Sequence, residues 1–322
     1  MSLSVNTNLS AMVALETLNA TQTQLSQTEN AVSTGKKVST AADNAAAFGI
    51  SQQMQGNVSG QGAVNDGLSF ASQVVSSTNT AASKIITLLN SVQAAVTSVG
   101  GNTGDQNSLN QISQQINGYL QQIDTIAQTA TTNGVNLLAG TTDSSAIQSN
   151  NLYYVTGLQG NFATVSGFNS TINGDMSGAT VTGTTGASLT DALGLTSGQA
   201  ASATTVTSNV FLDGSGGIGA GFSAAASTGD VSTMIAQVQK AIVAMTNVTS
   251  QLGSATNLLS SMASYGQSVS DNLTAGIGAL TDADMSAESA QLTSLQTKQS
   301  LAIKSLTIAN GQSQNILSLF QG

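Results

Sequence analysis

The chain has 322 residues, a formal net charge of −9 and only 7% charged residues, and it contains no Cys, His, Trp or Pro. Without His it lacks the usual general base near neutral pH, and without Cys or His it cannot form a zinc site built on those residues, a thiol nucleophile or a disulfide. The acidic balance argues against nucleic acid or an anionic membrane as a partner, because both need clustered cations. We therefore expect no enzyme and assign no catalytic, metal-binding or cofactor-binding residue.

The first periodic segment runs from Leu9 to Val32 and predicts a helix. Its seam advances by four and three residues in turn, which is the spacing of a coiled coil. The helix is expected to end at Gly35, which is followed by Lys36 and Lys37, because glycine and cations are common where helices stop. The seam consists of Ala11, Leu15, Leu18, Gln22, Leu25, Glu29 and Val32.

A longer run up to Val99, extended back to about Ala45, predicts one helix of about 80 Å at about 1.5 Å per residue. Its stripe is Val64, Leu68, Ala71, Val75, Thr78, Ala82, Ile85, Leu89, Val92, Val96 and Val99. Asp105 or Asn107 is expected to cap the next helix. That helix has the stripe Leu109, Ile112, Ile116, Leu120, Ile123, Ala127 and Ala130.

The pattern changes after Asn133 and Gly134. Segments 152–155 and 162–165 are typical of short strands, and the glycine-containing segment 157–160 between them predicts a hairpin turn. Residues 157–221 are rich in Gly, Ser and Thr and contain no Lys. We expect a small β-rich insert there, with a flexible linker as the alternative.

Helical periodicity returns at Val231, and we expect it to be interrupted between Gly266 and Gly278. Its stripe is Met234, Val238, Ile242, Met245, Val248, Leu252, Ala255, Leu259 and Met262. A final helix carries Leu292, Leu295, Gln299, Ala302, Leu306, Ala309, Ser313, Ile316 and Phe320. This order of elements predicts that the two terminal segments pack as an antiparallel pair.

The terminal helices have too little apolar surface to be stable as an isolated pair. Each buries about seven modest apolar side chains, and ordering about 30 residues per helix costs more free energy than this burial returns. We therefore expect the ends to be disordered in the monomer and to fold when neighbouring copies cover their remaining faces.

The sequence shows no membrane or secretory signal pattern. No stretch approaches the roughly 18 apolar residues of a membrane span. The segment Met1–Asn6 has neither a cationic start nor an apolar core, so we do not expect a cleaved secretory signal. The absence of Cys fits an exported protein that needs no oxidative folding, and equally a cytoplasmic one.

Short motifs at both ends of the chain resemble those of bacterial flagellins, the proteins of the flagellar filament. Each motif alone is weak, but their order at the two ends is specific. In the first half they are 6–8 with Ala11, 33–38, 41–46, 65–67, and 132–135 with Leu138; in the second half they are 288–292, 309–310 and 314–320.

The resemblance implies a mainly α fold with a small β-rich part, arranged as a long antiparallel coiled-coil rod. In this fold 1–40 and 280–322 form an inner tube, 41–156 and 222–279 form a helical rod domain with the hairpin, and 157–221 form a short variable surface insert. It implies a structural subunit of the extracellular filament used for swimming, exported unfolded through the flagellar type III pathway. The implied partners are other copies, the export apparatus, a chaperone for the C-terminal helix, and filament cap and junction proteins.

Large apolar residues of the terminal segments are the candidates for inter-subunit packing: Leu15, Leu18, Leu25, Val32, Leu292, Leu306, Ile316, Leu317 and Phe320. Many flagellins also carry an Arg-rich segment that the innate immune receptor for flagellin recognises. The matching segment here is Ser91, Val92, Gln93, Ala94 and Ala95, which has no cation. Because charge-assisted contacts are lost, we expect weak receptor activation.

Three other functions remain as alternatives. A hook–filament junction protein shares similar ends but is present in few copies, so abundance separates it from a filament protein. A secreted adhesin would use the β insert to bind a glycan or host surface. An enzyme with a Ser–Lys dyad is the third alternative, and no spacing in the sequence singles out such a pair.

Overall fold

The computed structural model describes residues 8–139, 146–168, 170 and 228–319, of which 228–230 and 312–319 are described as backbone only. In this part of the chain the helices are α1 Leu9–Thr34, α2 Ala45–Val99, α3 Gln106–Thr129, α4 Thr228–Thr281 and α5 Met285–Leu319. The strands are β1 Asn151–Val155 and β2 Phe162–Ser166. The predicted mainly α fold with a small β part is confirmed.

The chain divides into two compact units. The terminal unit contains the described residues of Met1–Gly60 and Val269–Gly322, and the central unit contains those of Gln61–Ser268. Each of the long helices α2 and α4 contributes residues to both units.

The predicted helix end at Gly35 and the predicted cap at Asp105 are confirmed, and the structure adds a cap at Asn8 that was not predicted. Asn8 caps α1, with its side-chain oxygen accepting the backbone N–H of Ala11 at 3.0 Å. The same helix stops at Gly35, whose φ of 70° lies in the left-handed region that glycine adopts at little cost. Asp105 caps α3 by accepting the backbone N–H of Asn107 at 3.0 Å.

One continuous apolar core holds the central unit together. Every residue of the predicted α2 stripe is buried, and the stripes of α3 and α4 are buried or packed against the same core. Its largest fully buried side chains are Leu68, Ile85, Leu89, Leu109, Ile116, Leu120, Ile123, Leu137 and Leu138. The helical period read from the sequence therefore identified this core correctly.

The predicted hairpin is also confirmed, because β1 and β2 pair antiparallel with Tyr153 opposite Thr164. Leu152 and Tyr154 face the core, and burial raises the pKa of the Tyr154 hydroxyl. Before the hairpin, the fully buried Asn136 donates to the carbonyls of Ala127 and Gln128 at 2.9 and 3.0 Å, at the end of α3. The rest of the predicted insert, apart from the hairpin residues up to 168 and Ser170, lies outside the described residues.

The predicted break between Gly266 and Gly278 is wrong, since α4 continues to Thr281. These glycines mark close contacts with α2. A Cβ at Gly276 would lie 2.5 Å from the Met54 methyl carbon, and one at Gly266 would overlap the side chains of Gln61 and Asn65. Glycine here lets neighbouring atoms approach the helix backbone, and the cost in helix propensity is small enough for a long helix to absorb.

Candidate functional site

The terminal unit is built on the packing of α1 against α5. At one end the Asn8 side-chain amide donates to the Ala309 carbonyl at 2.9 Å. At the other end Lys36 pairs with Asp282 in an antiparallel bridge. The start of α1 therefore lies beside the later part of α5 and its end beside the start of α5, which is the predicted antiparallel arrangement.

At this end of the pair, backbone hydrogen bonds join the link between α1 and α2 to the end of α4 and to the link between α4 and α5. The N–H groups of Lys37 and Val38 donate to the Thr281 carbonyl at 2.7 and 3.3 Å, and the Ala283 N–H donates to the Gly35 carbonyl at 3.0 Å. Because these bonds involve both links, they fix the register of α1 along α5.

The link between α1 and α2 is organised by Asp43. One carboxylate oxygen of Asp43 accepts the backbone N–H and hydroxyl groups of both Ser39 and Thr40, at 2.9 to 3.1 Å. Donation from the Thr40 backbone N–H, and then from that of Ser39, lowers the pKa of this exposed carboxyl. Asn44 then caps α2 by accepting the Ala47 N–H at 3.1 Å.

The face that α1 buries within the chain differs from the predicted seam. Its buried residues are Thr21, Leu25, Thr28 and Ala31, whereas Gln22 and Glu29 are exposed. Threonine can be buried here because its hydroxyl is satisfied locally: Thr21 donates to the Thr17 carbonyl at 2.8 Å. The predicted seam does not include the two buried threonines, because threonine was not counted as an apolar residue.

The nine candidate packing residues occupy different environments in the single chain. Leu25 is 8% exposed and is used inside the chain, while Leu15 is 49% exposed. The half-buried candidates are Leu18, Val32, Leu292 and Leu306. The side chains of Ile316, Leu317 and Phe320 lie outside the described residues.

The terminal helices also expose apolar residues that the sequence analysis missed. Leu9 is 73% and Ile308 is 72% exposed, and the others on these two helices, besides Leu15, are Met12, Val13, Met285, Leu301 and Ile303. They lie off the chosen seam. The available signal was the presence of apolar residues at adjacent positions such as 12 and 13, which shows that α1 has more than one apolar face.

Two depressions lie along the terminal unit. An apolar groove of about 370 Å³ runs between α1 and α5 and is lined by Ser10, Val13, Ala14, Thr17, Thr21, Lys298, Leu301, Ala302 and Ser305. A polar cleft of about 520 Å³ lies at the junction and is lined by Gln24, Gln27, Thr28, Asn30, Ala31, Lys36, Lys37, Ser39, Thr40, Asp43, Glu288 and Gln291. The first offers apolar surface to a second molecule, and the second is lined by charges of both signs.

The segment predicted to affect receptor recognition lies near the end of α2, in the central unit. Val92 and Ala95 are buried, Ser91 and Gln93 are half-buried, and Ala94 is exposed. Two of its five side chains, those of Val92 and Ala95, therefore belong to the central core.

Two structural features are absent from the described residues. No helix among them is long and apolar enough to cross a membrane. Within the same ranges there is no group of three or more acidic, His or Cys side chains that could hold a metal ion.

Comparison with known families identifies both ends of the chain. Residues 5–143 match the family model described as the bacterial flagellin N-terminal helical region. Residues 235–320 match the one described as the bacterial flagellin C-terminal helical region.

Individual relatives match over the whole chain. Flagellin FljM of Caulobacter vibrioides is 30% identical over 318 residues, which cover 99% of this chain and 98% of the relative. The flagellin of Brucella melitensis is 30% identical over 322 residues, covering 99% of both chains. Flagellin C of Rhizobium meliloti is 30% identical over 335 residues, again covering 99% of both.

Proposed function

The chain belongs to the bacterial flagellin family and is a structural subunit of the extracellular flagellar filament, and from this premise we propose that it polymerises through its terminal helices. The candidate packing residues retain their assignment in this proposal: Leu15, Leu18, Leu25, Val32, Leu292, Leu306, Ile316, Leu317 and Phe320. Leu15 and the half-buried members offer surface to another copy, and Leu25 supports the pair from within.

The observation that carries this proposal is the exposed apolar surface of α1 and α5. Eight large apolar side chains are exposed on the described parts of these two helices: Leu9, Met12, Val13, Leu15, Met285, Leu301, Ile303 and Ile308. Burying a side chain of this size contributes about 1.5–3 kcal/mol. A subunit can recover this free energy only by covering the helices with other copies.

The same reasoning supports folding coupled to assembly. The described core of the terminal unit contains five apolar residues, namely Leu25, Ala31, Val38, Leu295 and Ala309. We propose that α1 and α5 are largely unfolded in the free subunit and become helical in the polymer. Circular dichroism below and above the assembly concentration tests this step, and equal helix content in the two samples contradicts it.

Export and domain roles complete the proposal. We propose that the chain is exported as an unfolded polypeptide through the flagellar type III pathway. The absence of Cys supports this route, because no disulfide has to be reduced before export. A chaperone on the C-terminal helix would cover its apolar surface until assembly, and filament cap and junction proteins would contact the polymer ends. We assign 1–40 and 280–322 to the inner tube, 41–156 and 222–279 to the rod, and 157–221 to the outer surface.

The segment 91–95 supports a proposal of weak activation of the innate immune receptor for flagellin. It has no cation, and Val92 and Ala95 are buried, so little of it can make charge-assisted contacts. A receptor reporter assay with purified subunits checks this proposal. Potency equal to that of a flagellin with an Arg-rich segment overturns it.

A pair of leucine substitutions tests polymerisation through the terminal helices. Leu301→Asp places a charge on the exposed face of α5 and should abolish pelletable filaments, because an interface that gains free energy by burying Leu301 must instead desolvate a carboxylate. Leu158→Asp is the matched control, since Leu158 is also exposed but lies in the hairpin turn. Sedimentation and negative-stain microscopy give the result, and filament formation by Leu301→Asp at the wild-type concentration contradicts the proposal.

The alternatives make different predictions in the same experiment. An adhesin acting through residues 157–221 keeps its ligand binding when Leu301→Asp prevents polymerisation. A hook–filament junction protein is present in few copies, so the wild-type chain would not grow long filaments. Full-length similarity to flagellins favours the filament subunit over both.

A further inference from the structure

We propose that the apolar groove between α1 and α5 seats the outer face of α1 from a second copy, with Lys298 of the first copy facing Glu16 of the second. This inference rests on the proposed polymerisation and names the contact that makes it specific. The occupant is thus one defined surface of the same chain.

The groove combines apolar walls with one cation. Val13 and Leu301 stand exposed on its two sides, and the small side chains of Ala14 and Ala302 line it between the helices. Small residues at these positions leave the volume of about 370 Å³ open to side chains of another molecule. Lys298 also lines it, and among the described residues its ammonium forms no hydrogen bond or ion pair.

The outer face of α1 has the complementary character. Residues 9, 12 and 16 follow the i, i+3, i+7 spacing and therefore share one side of the helix. Leu9 and Met12 are exposed apolar residues there, and Glu16 is an exposed carboxylate. The opposite side of the helix packs within the chain through Thr21 and Leu25.

Glu16 is the acid of the terminal helices that fits the groove best. Glu29 has no exposed large apolar residue beside it on α1, and Glu288 already lines the polar cleft. Among the acids of α1 and α5, only Glu16 shares its helix face with more than one exposed large apolar residue, including Leu9 and Met12. The chain's own residues 1–7 are a rival occupant, but they contain no acid to meet Lys298.

The two surfaces belong to different parts of one subunit, so every copy offers both a groove and an outer α1 face. A contact between unlike surfaces repeats from copy to copy without closing on itself unless symmetry forces a ring. The inferred contact therefore produces an open polymer, and the charge pair favours one register, since in most other alignments Lys298 faces a neutral residue of α1.

A charge exchange tests the pair. Lys298→Glu and Glu16→Lys, each alone, should raise the critical concentration for assembly about fivefold to tenfold, because an attraction becomes a repulsion. The double variant Lys298→Glu/Glu16→Lys should return to within about twofold of wild type. Lys304→Glu on the same helix lies outside the groove, and combined with Glu16→Lys it should give no rescue.

The outcomes separate the inference from the proposed function. Wild-type chains that do not polymerise defeat the proposed function itself. Wild-type filaments combined with silent single variants, or with single defects that the exchange does not rescue, overturn the pair alone. The second result is also expected if residues 1–7 fill the groove.

A cross-linking experiment does not depend on how charge reversal affects folding. The chain has no Cys, so Glu16→Cys and Lys298→Cys introduce single thiols. A mixture of the two variant chains, copolymerised and treated with a short thiol cross-linker, should give covalent dimers in greater yield than either variant alone. Equal yields in the mixture and in the separate polymers overturn the inference.

Discussion

The central unit and the terminal helix pair differ in how much of their apolar surface is buried within the chain. Among the described residues, the core of the central unit contains 30 buried apolar residues. The described part of the terminal unit contains five buried apolar residues, and none of them belongs to that core. The terminal helices instead leave large aliphatic side chains such as Leu9 and Ile308 almost fully exposed. One part of the chain completes its packing internally, and the other presents apolar surface.

This difference matters because apolar surface has opposite consequences in the two places. In the central unit it stabilises the fold of one subunit. On α1 and α5 it stabilises association, since the same contribution of about 1.5–3 kcal/mol per large side chain is realised only when another copy arrives. Mutations in the two regions should therefore affect different measurements.

Deleting the terminal segments gives the largest expected effect. A chain without 1–40 and 280–322 loses all of α1 and α5 and the bonded junction between them. We expect no polymer at any soluble concentration by sedimentation, because the surface that drives association is gone. The thermal unfolding transition of the central core should remain.

The control for this deletion is a chain lacking only 171–220, which keeps both terminal helices and the hairpin. It should still polymerise. Regular fibres from the chain without its two ends would remove the basis of the comparison between the units.

The central core was predictable because it follows simple helical periodicity. All residues of the α2 stripe from Val64 to Val99 are buried, and even Thr78 is buried with its hydroxyl donating to the Val74 carbonyl at 2.8 Å. The hairpin, the helix end at Gly35 and the cap at Asp105 followed from local rules in the same way. Local sequence patterns are sufficient to predict a helix or strand when only one of its faces is buried and that face packs against a single core.

The terminal pair was less predictable because its helices are apolar on several sides. The seam chosen from the sequence agrees with the intrachain face at Leu18 and Leu25 and departs from it at Leu15, where Ala14 packs inward.

In the central unit, sequence patterns gave no sign of the buried Asn136 network, or of Gly266 as a contact with α2. Each of these features depends on which segment, distant in the sequence, packs against the residue. The spacing of apolar residues along one helix does not contain that information.

Truncating one leucine in each unit separates folding from assembly. Leu89→Ala removes a fully buried side chain from the central core and should lower the free energy of unfolding by about 2–5 kcal/mol. Leu15→Ala acts on an exposed residue and should change monomer stability by no more than about 0.5 kcal/mol. Urea unfolding of the monomer measures both values.

Assembly should rank the same two variants in the reverse order. At a temperature where both cores are folded, Leu15→Ala should raise the critical concentration more than Leu89→Ala does, because only Leu15 offers surface to another copy. A larger assembly defect in Leu89→Ala would show that Leu15 is a surface residue without a role in packing between subunits.

Glycine substitutions in α4 test smaller differences in packing. Gly253→Ala meets nothing within 4 Å and should stabilise the central unit by about 0.5–1 kcal/mol through helix propensity. Gly266→Ala should instead lower its stability by about 1 kcal/mol. The new methyl group displaces Gln61, a buried residue whose amide donates to the Asn65 side chain at 3.3 Å. Thermal unfolding decides the sign, and stabilisation by both variants would contradict the close approach.

The smallest expected effect compares one carboxyl from each unit. Hydrogen bonds from Thr40 and Ser39 lower the pKa of Asp43, and bonds from the Ser108 hydroxyl and the Asn107 N–H lower that of Asp105. A carboxyl whose pKa is lower in the folded than in the unfolded chain stabilises the fold above the unfolded value of 3.8, and this contribution is lost as pH falls through the lower folded value.

The two carboxyls should nevertheless titrate differently in the free subunit. Asp105 belongs to the central unit, which packs by itself, so NMR titration of the monomer should place its pKa below 3.8. If the terminal unit orders only on assembly, Asp43 should keep a pKa near 3.8 in the monomer and fall below it in filaments, where the bonds from Ser39 and Thr40 form. A lowered pKa for Asp43 in the monomer would mean that the junction between α1 and α2 is already formed before neighbours arrive, and that assembly orders less of the terminal unit than its exposed apolar surface suggests.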